Sequence, residues 1–100
     1  MEAAQKFVDE QLAVHKVVVF SKSYCPYCTM AKEALKEIKA DYHLIEIENR
    51  SDCDAIQDVL LKMTGARSVP RVFINKKCIG GGSETKAMKQ SGELQKLIAA

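Results

Sequence analysis

The sequence has no long hydrophobic run, and no stretch approaches the roughly 18 apolar residues that a membrane span needs. Glycine and proline are scarce, with five and two among 100 residues, and neither a repeat nor a low-complexity tract interrupts the chain. Basic residues are scattered rather than collected in a run, and the net charge is only +2. We therefore expect a single domain over residues 1–100 that binds neither a membrane nor nucleic acid.

We also expect no targeting signal at the amino terminus. The stretch MEAAQKFVDEQL carries an acid at its second position, without the basic-then-apolar layout of a signal peptide or the Arg-rich composition of a transit peptide. We expect a cytoplasmic protein, whose thiols are kept reduced, and a close pair of cysteines there is more often catalytic or metal-binding than structural. No exposed apolar stripe requires a dimer, so we also expect a monomer.

The hydrophobic pattern predicts alternating helices and strands. Apolar residues recur at helical spacing over residues 2–14, and residues 17–20 form the β-branched and aromatic run of a buried strand. The further predicted elements are a helix beginning at Pro26, a strand over residues 43–48, a helix from Ser51 and Asp52 to Gly65 with Met63 on its core face, a hairpin of residues 71–74 and 77–80, a short helix capped by Ser83, and a last helix from Ser91 and Gly92. This order predicts an α/β protein with a mixed four-stranded sheet, in which a helix connects two parallel strands.

Two cysteines lie where the first strand gives way to a helix. Cys25 and Cys28 are separated only by Pro26 and Tyr27. Unpaired backbone N–H groups and the helix dipole favour negative charge at a helix start, and Lys22 could add a positive charge nearby. We therefore predict that Cys25 is a thiolate nucleophile and that Cys28, one turn into the helix, is a less acidic resolving thiol.

A zinc site is the competing interpretation of this spacing. Zinc sites normally need two further ligands with their own local spacing, whereas Cys53 and Cys78 have no cysteine or histidine close by in sequence. A Pro-Tyr spacer at a helix start also suits thiol exchange better than it suits a zinc knuckle, whose turn usually contains glycine. The pattern favours redox chemistry, and we expect no metal.

Three motifs in this order resemble the dithiol glutaredoxins over nearly the whole chain. They are CPYC at residues 25–28, TGARSVPRVF at residues 64–73 and IGG at residues 79–81. Thioredoxins match less well, because their spacer is usually Gly-Pro after a tryptophan and this chain has no tryptophan. The resemblance implies the thioredoxin fold, with about five helices flanking the sheet. It also implies an enzyme that uses glutathione as co-substrate to reduce protein disulfides and glutathionylated proteins.

The resemblance further implies a glutathione groove around the first cysteine. In the family the peptide bond before Pro70 is cis, and the Val69 backbone would pair with the cysteine of glutathione like an added strand. Because glutathione is anionic at both ends, cations and helix N-termini should line the groove. The other candidates are Lys22 and Arg67 for the glycine carboxylate, Gln57 on the polar face of the third helix as a neutral donor, Tyr27 as a packing partner, and Gly81, Gly82, Ser83 and Glu84 for the γ-glutamyl group.

Some positions depart from the family pattern. Glu84 stands where relatives often have aspartate, and Gly82 stands where some have cysteine. Cys78 is expected to be an inert core residue, and Cys53 is a candidate for glutathionylation or an intermolecular disulfide. Some relatives instead form a dimer that holds a [2Fe–2S] cluster with two glutathiones, notably where the spacer lacks proline. Pro26 argues against this alternative.

Overall fold

The computed structural model describes residues 2–100. Its elements are α1 (Glu2–Val14), β1 (Val17–Ser21), α2 (Pro26–Glu37), β2 (His43–Glu46), α3 (Cys53–Thr64), β3 (Arg71–Ile74), β4 (Lys77–Gly80), α4 (Gly82–Ser91) and α5 (Glu93–Ala99). The order of helices and strands is the one that the hydrophobic pattern predicts. Within the described residues, no helix has both the length and the apolar character needed to cross a membrane.

The four strands form one mixed sheet in the order β2-β1-β3-β4. β1 runs parallel to β2, to which α2 connects it, and antiparallel to β3. β3 and β4 form the predicted hairpin, whose turn residues Asn75 and Lys76 have φ angles of 51° and 70°. Positive φ at both central residues is what a tight type I′ hairpin requires, and asparagine tolerates this conformation better than most residues.

Two apolar layers bury the sheet from both sides. Val18 and Phe20 of β1 point into one layer with the apolar stripes of α1 and α3. Val17 and Val19 point into the other, with α2 and α5. Successive side chains of a strand point to opposite faces, so β1 is buried along its whole length. The segment that carries the two cysteines therefore follows a strand held on both faces.

Three details of the predicted elements are wrong. Met63 is 39% exposed rather than part of the core face, and it lies beside Gln5 of α1. β2 ends at Glu46 rather than at residue 48. The N-cap of α4 is Gly81 rather than Ser83, because the helix already begins at Gly82.

Candidate active site

Cys25 occupies the N-cap position of α2. Its backbone is extended, with φ −89° and ψ 122°, and Pro26 follows at the first helical position, where a missing N–H removes no helical hydrogen bond. The Cys25 carbonyl accepts a hydrogen bond from the Thr29 N–H at 3.1 Å, which closes the first turn. The local sequence thus begins the helix at the sulfur-bearing residue, as predicted.

The surroundings of Cys25 favour its thiolate form. Burial by itself raises the pKa of Cys25, but the backbone N–H and the thiol of Cys28 act against it. The backbone N–H of Tyr27 and the charge of Lys32 act in the same direction, and the pKa of Cys25 is lowered overall. The Cys25 Sγ lies 3.8 Å from the carbonyl oxygen of Val69. The sulfur is partly exposed, so it can be reached by a substrate.

Cys28 lies in the opposite environment. It is fully buried, and burial raises the pKa of its thiol. The Lys22 backbone N–H, which donates to the Cys28 Sγ at 3.4 Å, and the Ser21 hydroxyl act to lower that pKa. The neighbouring Cys25 raises it further, and the pKa of Cys28 is raised overall. The two sulfurs therefore differ in the direction that the sequence predicts.

The cation that acts on Cys25 is Lys32, not Lys22 as expected. Lys32 lies two helical turns along α2, and its Nζ is 3.2 Å from a carboxylate oxygen of Glu46. Lys22 contacts Cys25 through the backbone, because its carbonyl accepts a hydrogen bond from the Cys25 N–H at 3.1 Å. Helical spacing could have indicated Lys32, because residues two turns apart share one face of a helix.

Two other segments meet the Cys25 loop. The Val69-Pro70 peptide bond is cis, as the resemblance implies. Gly82, at the start of α4, approaches the backbone of Tyr27 so closely that an added Cβ would lie 2.4 Å from the Tyr27 carbonyl oxygen. The predicted site residues at positions 69–70 and 82 are thus brought together at the start of α2.

The side chain of Glu84 caps the start of α4 by bonding back to Gly81. The Glu84 Oε1 accepts a hydrogen bond from the Gly81 N–H at 2.6 Å, and the buried Thr85 hydroxyl donates to the Gly81 carbonyl at 2.8 Å. A Cβ added at Gly81 would lie 2.8 Å from the Arg71 Nη2. Ser83 is exposed in the first turn. The Arg71 guanidinium therefore lies beside this helix start, although it was not among the candidate site residues.

Gln57 does not lie on a polar face of α3 as the sequence suggests, and the neighbouring Arg67 pairs with the same helix. Gln57 is only 7% exposed rather than part of a polar face, and its Nε2 donates to the Arg67 carbonyl at 3.1 Å. The Arg67 guanidinium contacts two α3 carboxylates, with its Nε 3.0 Å from Asp58 and its Nη2 3.5 Å from Asp54. Both side chains therefore attach the segment after α3 to that helix.

All four cysteines are free thiols. Cys53 and Cys78 pack, partly buried, against the core between the sheet and the α1–α3 layer. Among residues 2–100, no group of three or more histidine, cysteine, aspartate or glutamate side chains is arranged to hold a metal ion. Chemically, the site thus consists of two thiols with opposite pKa shifts beside the Val69 carbonyl and the start of α4.

We expect Gly82→Ala to lower the free energy of unfolding by about 1–3 kcal/mol, the usual cost of forcing an extra group into a packed contact. The new methyl group would clash with the backbone oxygen of Tyr27, so α4 and α2 would have to move apart. Denaturant unfolding measures the change. Ser83→Ala, at an exposed neighbouring position, is the control and should stay within about 0.5 kcal/mol of the parent protein. An unchanged midpoint for Gly82→Ala would contradict the close approach of the two helices.

The fold and the paired thiols are those of a thiol–disulfide oxidoreductase with the thioredoxin fold. The family model for glutaredoxin matches residues 17–79. The chain is also 48% identical to human Glutaredoxin-1 over 94 residues, which covers 91% of this chain and 89% of that protein. It belongs to the glutaredoxin family, and it is therefore a glutathione-dependent thiol–disulfide oxidoreductase.

Solved structures agree with this assignment. Oxidized glutaredoxin 2 from Chlamydomonas reinhardtii superposes with a TM-score of 0.94 at 52% identity, over 98% of this chain and 92% of that one. A buckwheat glutaredoxin in complex with glutathione superposes with a TM-score of 0.93 at 38% identity, over 98% of this chain and 89% of that one. The thioredoxin fold expected from the sequence is confirmed.

Proposed function

We propose that this glutaredoxin reduces both glutathione mixed disulfides and protein disulfides, with Cys25 as the nucleophile and Cys28 as the resolving thiol. The observation that carries the proposal is the opposite pKa shift of the two sulfurs. The pKa of the partly exposed Cys25 is lowered, whereas that of the buried Cys28 is raised. This difference favours the thiolate form at Cys25, which attacks, and the protonated form at Cys28.

With a glutathionylated protein, only Cys25 needs to react. Its thiolate attacks the glutathione sulfur, the mixed disulfide breaks, and the protein leaves with a reduced sulfur that takes up a proton. Glutathione remains joined to Cys25. The thiolate of a second glutathione then attacks that disulfide, forms glutathione disulfide and restores the Cys25 thiolate. A sulfur with a lowered pKa is a good leaving group, which favours this second step.

With a protein disulfide, Cys28 takes part. Attack by Cys25 joins it to one sulfur of the substrate and releases the other sulfur as a thiolate. Cys28 then loses its proton and attacks the Cys25 sulfur, which frees the substrate and closes a Cys25–Cys28 disulfide. Two glutathiones reopen this bond and leave as glutathione disulfide. The two electrons delivered to the substrate thus come from two glutathione thiols.

Backbone and charge around Cys25 support a glutathione groove. The Val69 backbone, beside the Cys25 sulfur, would pair with the cysteine of glutathione. Tyr27, whose side chain is 56% exposed, would pack against the tripeptide. The first-turn N–H groups of Gly82 and Ser83 have no acceptor within their helix, and they would bind the γ-glutamyl carboxylate.

The glycine carboxylate would bind at the opposite end of the groove. We assign it to Lys22, Arg67 and the second N–H of the Gln57 amide. The contacts of Arg67 with Asp54 and Asp58 are exposed, and exposed ion pairs are weak enough for a ligand carboxylate to compete. At the γ-glutamyl end, one Glu84 oxygen holds the Gly81 N–H, which leaves the other for the ammonium group.

The pH dependence of Cys25 alkylation tests this proposal. Alkylation requires the thiolate, and a lowered pKa means that the thiolate fraction rises at lower pH than in a free cysteine. We expect the half-maximal rate at a lower pH than for the unfolded peptide of residues 21–32. Saturating glutathione should slow alkylation by occupying the groove.

The two outcomes that contradict the proposal are separable. A Cys25 that titrates like the peptide would remove the basis for nucleophilic attack. Visible absorbance after anaerobic purification would indicate the cluster-bearing dimer, whereas a colourless protein that turns over glutathione supports the enzyme.

A further inference from the structure

Cys53 and Gln57 lie one helical turn apart on α3, with their side chains in contact. The Cys53 Sγ is 3.6 Å from the Gln57 Oε1, and the Gln57 Nε2 is 3.1 Å from the Arg67 carbonyl oxygen. Gln57 is only 7% exposed. Its amide is therefore held at both ends.

The chemistry of the partners determines which way the amide points. The Arg67 carbonyl can only accept a hydrogen bond, so the NH₂ end of Gln57 must face it. The Oε1 then faces Cys53, whose thiol is its one hydrogen-bond donor among residues 2–100. A thiol is a weak donor, but a buried oxygen without a donor is costly, so the contact opposes rotation of the amide.

The segment held by Gln57 also contacts Cys25. Arg67 lies two residues before Val69, whose carbonyl oxygen is 3.8 Å from the Cys25 Sγ. The Arg67 side chain also returns to α3, where its Nη2 is 3.4 Å from the Asp54 carbonyl oxygen. Arg67 is thus attached to α3 by backbone and side chain together, two residues before Val69.

We propose that Cys53 is a positioning residue for glutathione binding. Through the amide of Gln57, its thiol holds residues 67–69 against α3 and so places the Val69 backbone beside Cys25. The inference rests on the proposed function, in which Val69 and Gln57 contact glutathione. Because Cys53 does not touch the reacting sulfur, its removal changes the KM for a glutathione mixed disulfide, whose glutathione part occupies the groove, rather than kcat.

Replacement of Cys53 tests this role in the full-length enzyme, with a glutathione mixed disulfide as substrate. Cys53→Ala should raise the KM for this mixed disulfide about threefold to tenfold, the effect expected when a buried amide oxygen loses its donor, with kcat nearly unchanged. Cys53→Ser keeps a donor in nearly the same volume and should recover most of the affinity. Cys78→Ala is the matched control, because Cys78 packs against the same core cluster without contacting Gln57, and its KM should equal that of the parent.

A double-mutant cycle then separates positioning from packing. If Cys53 acts through the amide, Cys53→Ala should cause no further rise in KM in a Gln57→Ala background. An equal rise in both backgrounds would overturn the inference, as would an unchanged KM for Cys53→Ala or equal values for the alanine and serine variants. In the ¹⁵N-labelled protein, Cys53→Ala should also shift the side-chain amide signals of Gln57, whereas Cys78→Ala should not.

These outcomes can be distinguished from those that test the proposed function. An active parent enzyme with a Cys25 of low pKa, combined with an unaffected Cys53→Ala variant, overturns only the positioning role. A Cys25 that titrates as an ordinary thiol overturns the proposed function itself.

Discussion

Cys25→Ser should lower kcat/KM for glutathione-dependent disulfide reduction at least about a thousandfold, because the nucleophile is removed. A serine hydroxyl is not ionised near neutral pH and cannot form a disulfide, so both the attack on the substrate and the glutathione mixed disulfide are lost. Steady-state assays with a glutathionylated substrate and with a protein disulfide measure the effect.

Cys78→Ser is the appropriate control for this experiment. It also replaces a partly buried sulfur by a hydroxyl, but at a position in β4 that the proposed mechanism does not use. It should keep the activity of the parent. Activity above a few per cent in Cys25→Ser would mean that another thiol attacks the substrate, and Cys25 would lose its assigned role.

Cys28→Ser should separate the two activities. Reduction of glutathionylated proteins should stay within about threefold of the parent, because only Cys25 reacts in that cycle. Reduction of protein disulfides should fall about a hundredfold, because no second thiol resolves the intermediate with the substrate. Serine is preferred to alanine here, because its hydroxyl can still accept the hydrogen bond from the Lys22 N–H and donate one toward Cys25.

Mass spectrometry supplies the complementary measurement for Cys28→Ser. After reaction with a protein disulfide, the variant should accumulate a covalent adduct at Cys25 that glutathione releases slowly. Loss of both activities in a folded Cys28→Ser variant would contradict the proposed division of labour between the two sulfurs.

The helices and strands could be predicted where local sequence determines them. Pro26 marks the first position of α2, and Gly65 ends α3 in the left-handed conformation with φ 82°. The errors lie where a contact between residues decides the outcome. The N-cap of α4 is Gly81 because the side chain of Glu84 bonds back to its N–H, and this contact outweighs the capping preference of Ser83.

The paired thiols could likewise be predicted from sequence, but their surroundings could not. A cysteine just before a helix-initiating proline must lie among first-turn N–H groups, whatever the rest of the fold does. The charge that lowers its pKa comes from Lys32, and that assignment depends on the side-chain direction within the folded protein. Gln57 was expected on a polar face, yet it is buried because the segment after α3 folds back over it.

The sequence alone therefore determined the order of elements, the family and the asymmetry between Cys25 and Cys28, because each depends on residues close together in the chain. Only the tertiary structure decided that the Val69 carbonyl and the start of α4 adjoin the sulfur. These contacts join segments far apart in sequence, and the sheet order β2-β1-β3-β4 brings the end of β1 beside the start of β3. Spacing along the chain carries no information about such distances until the strands have paired.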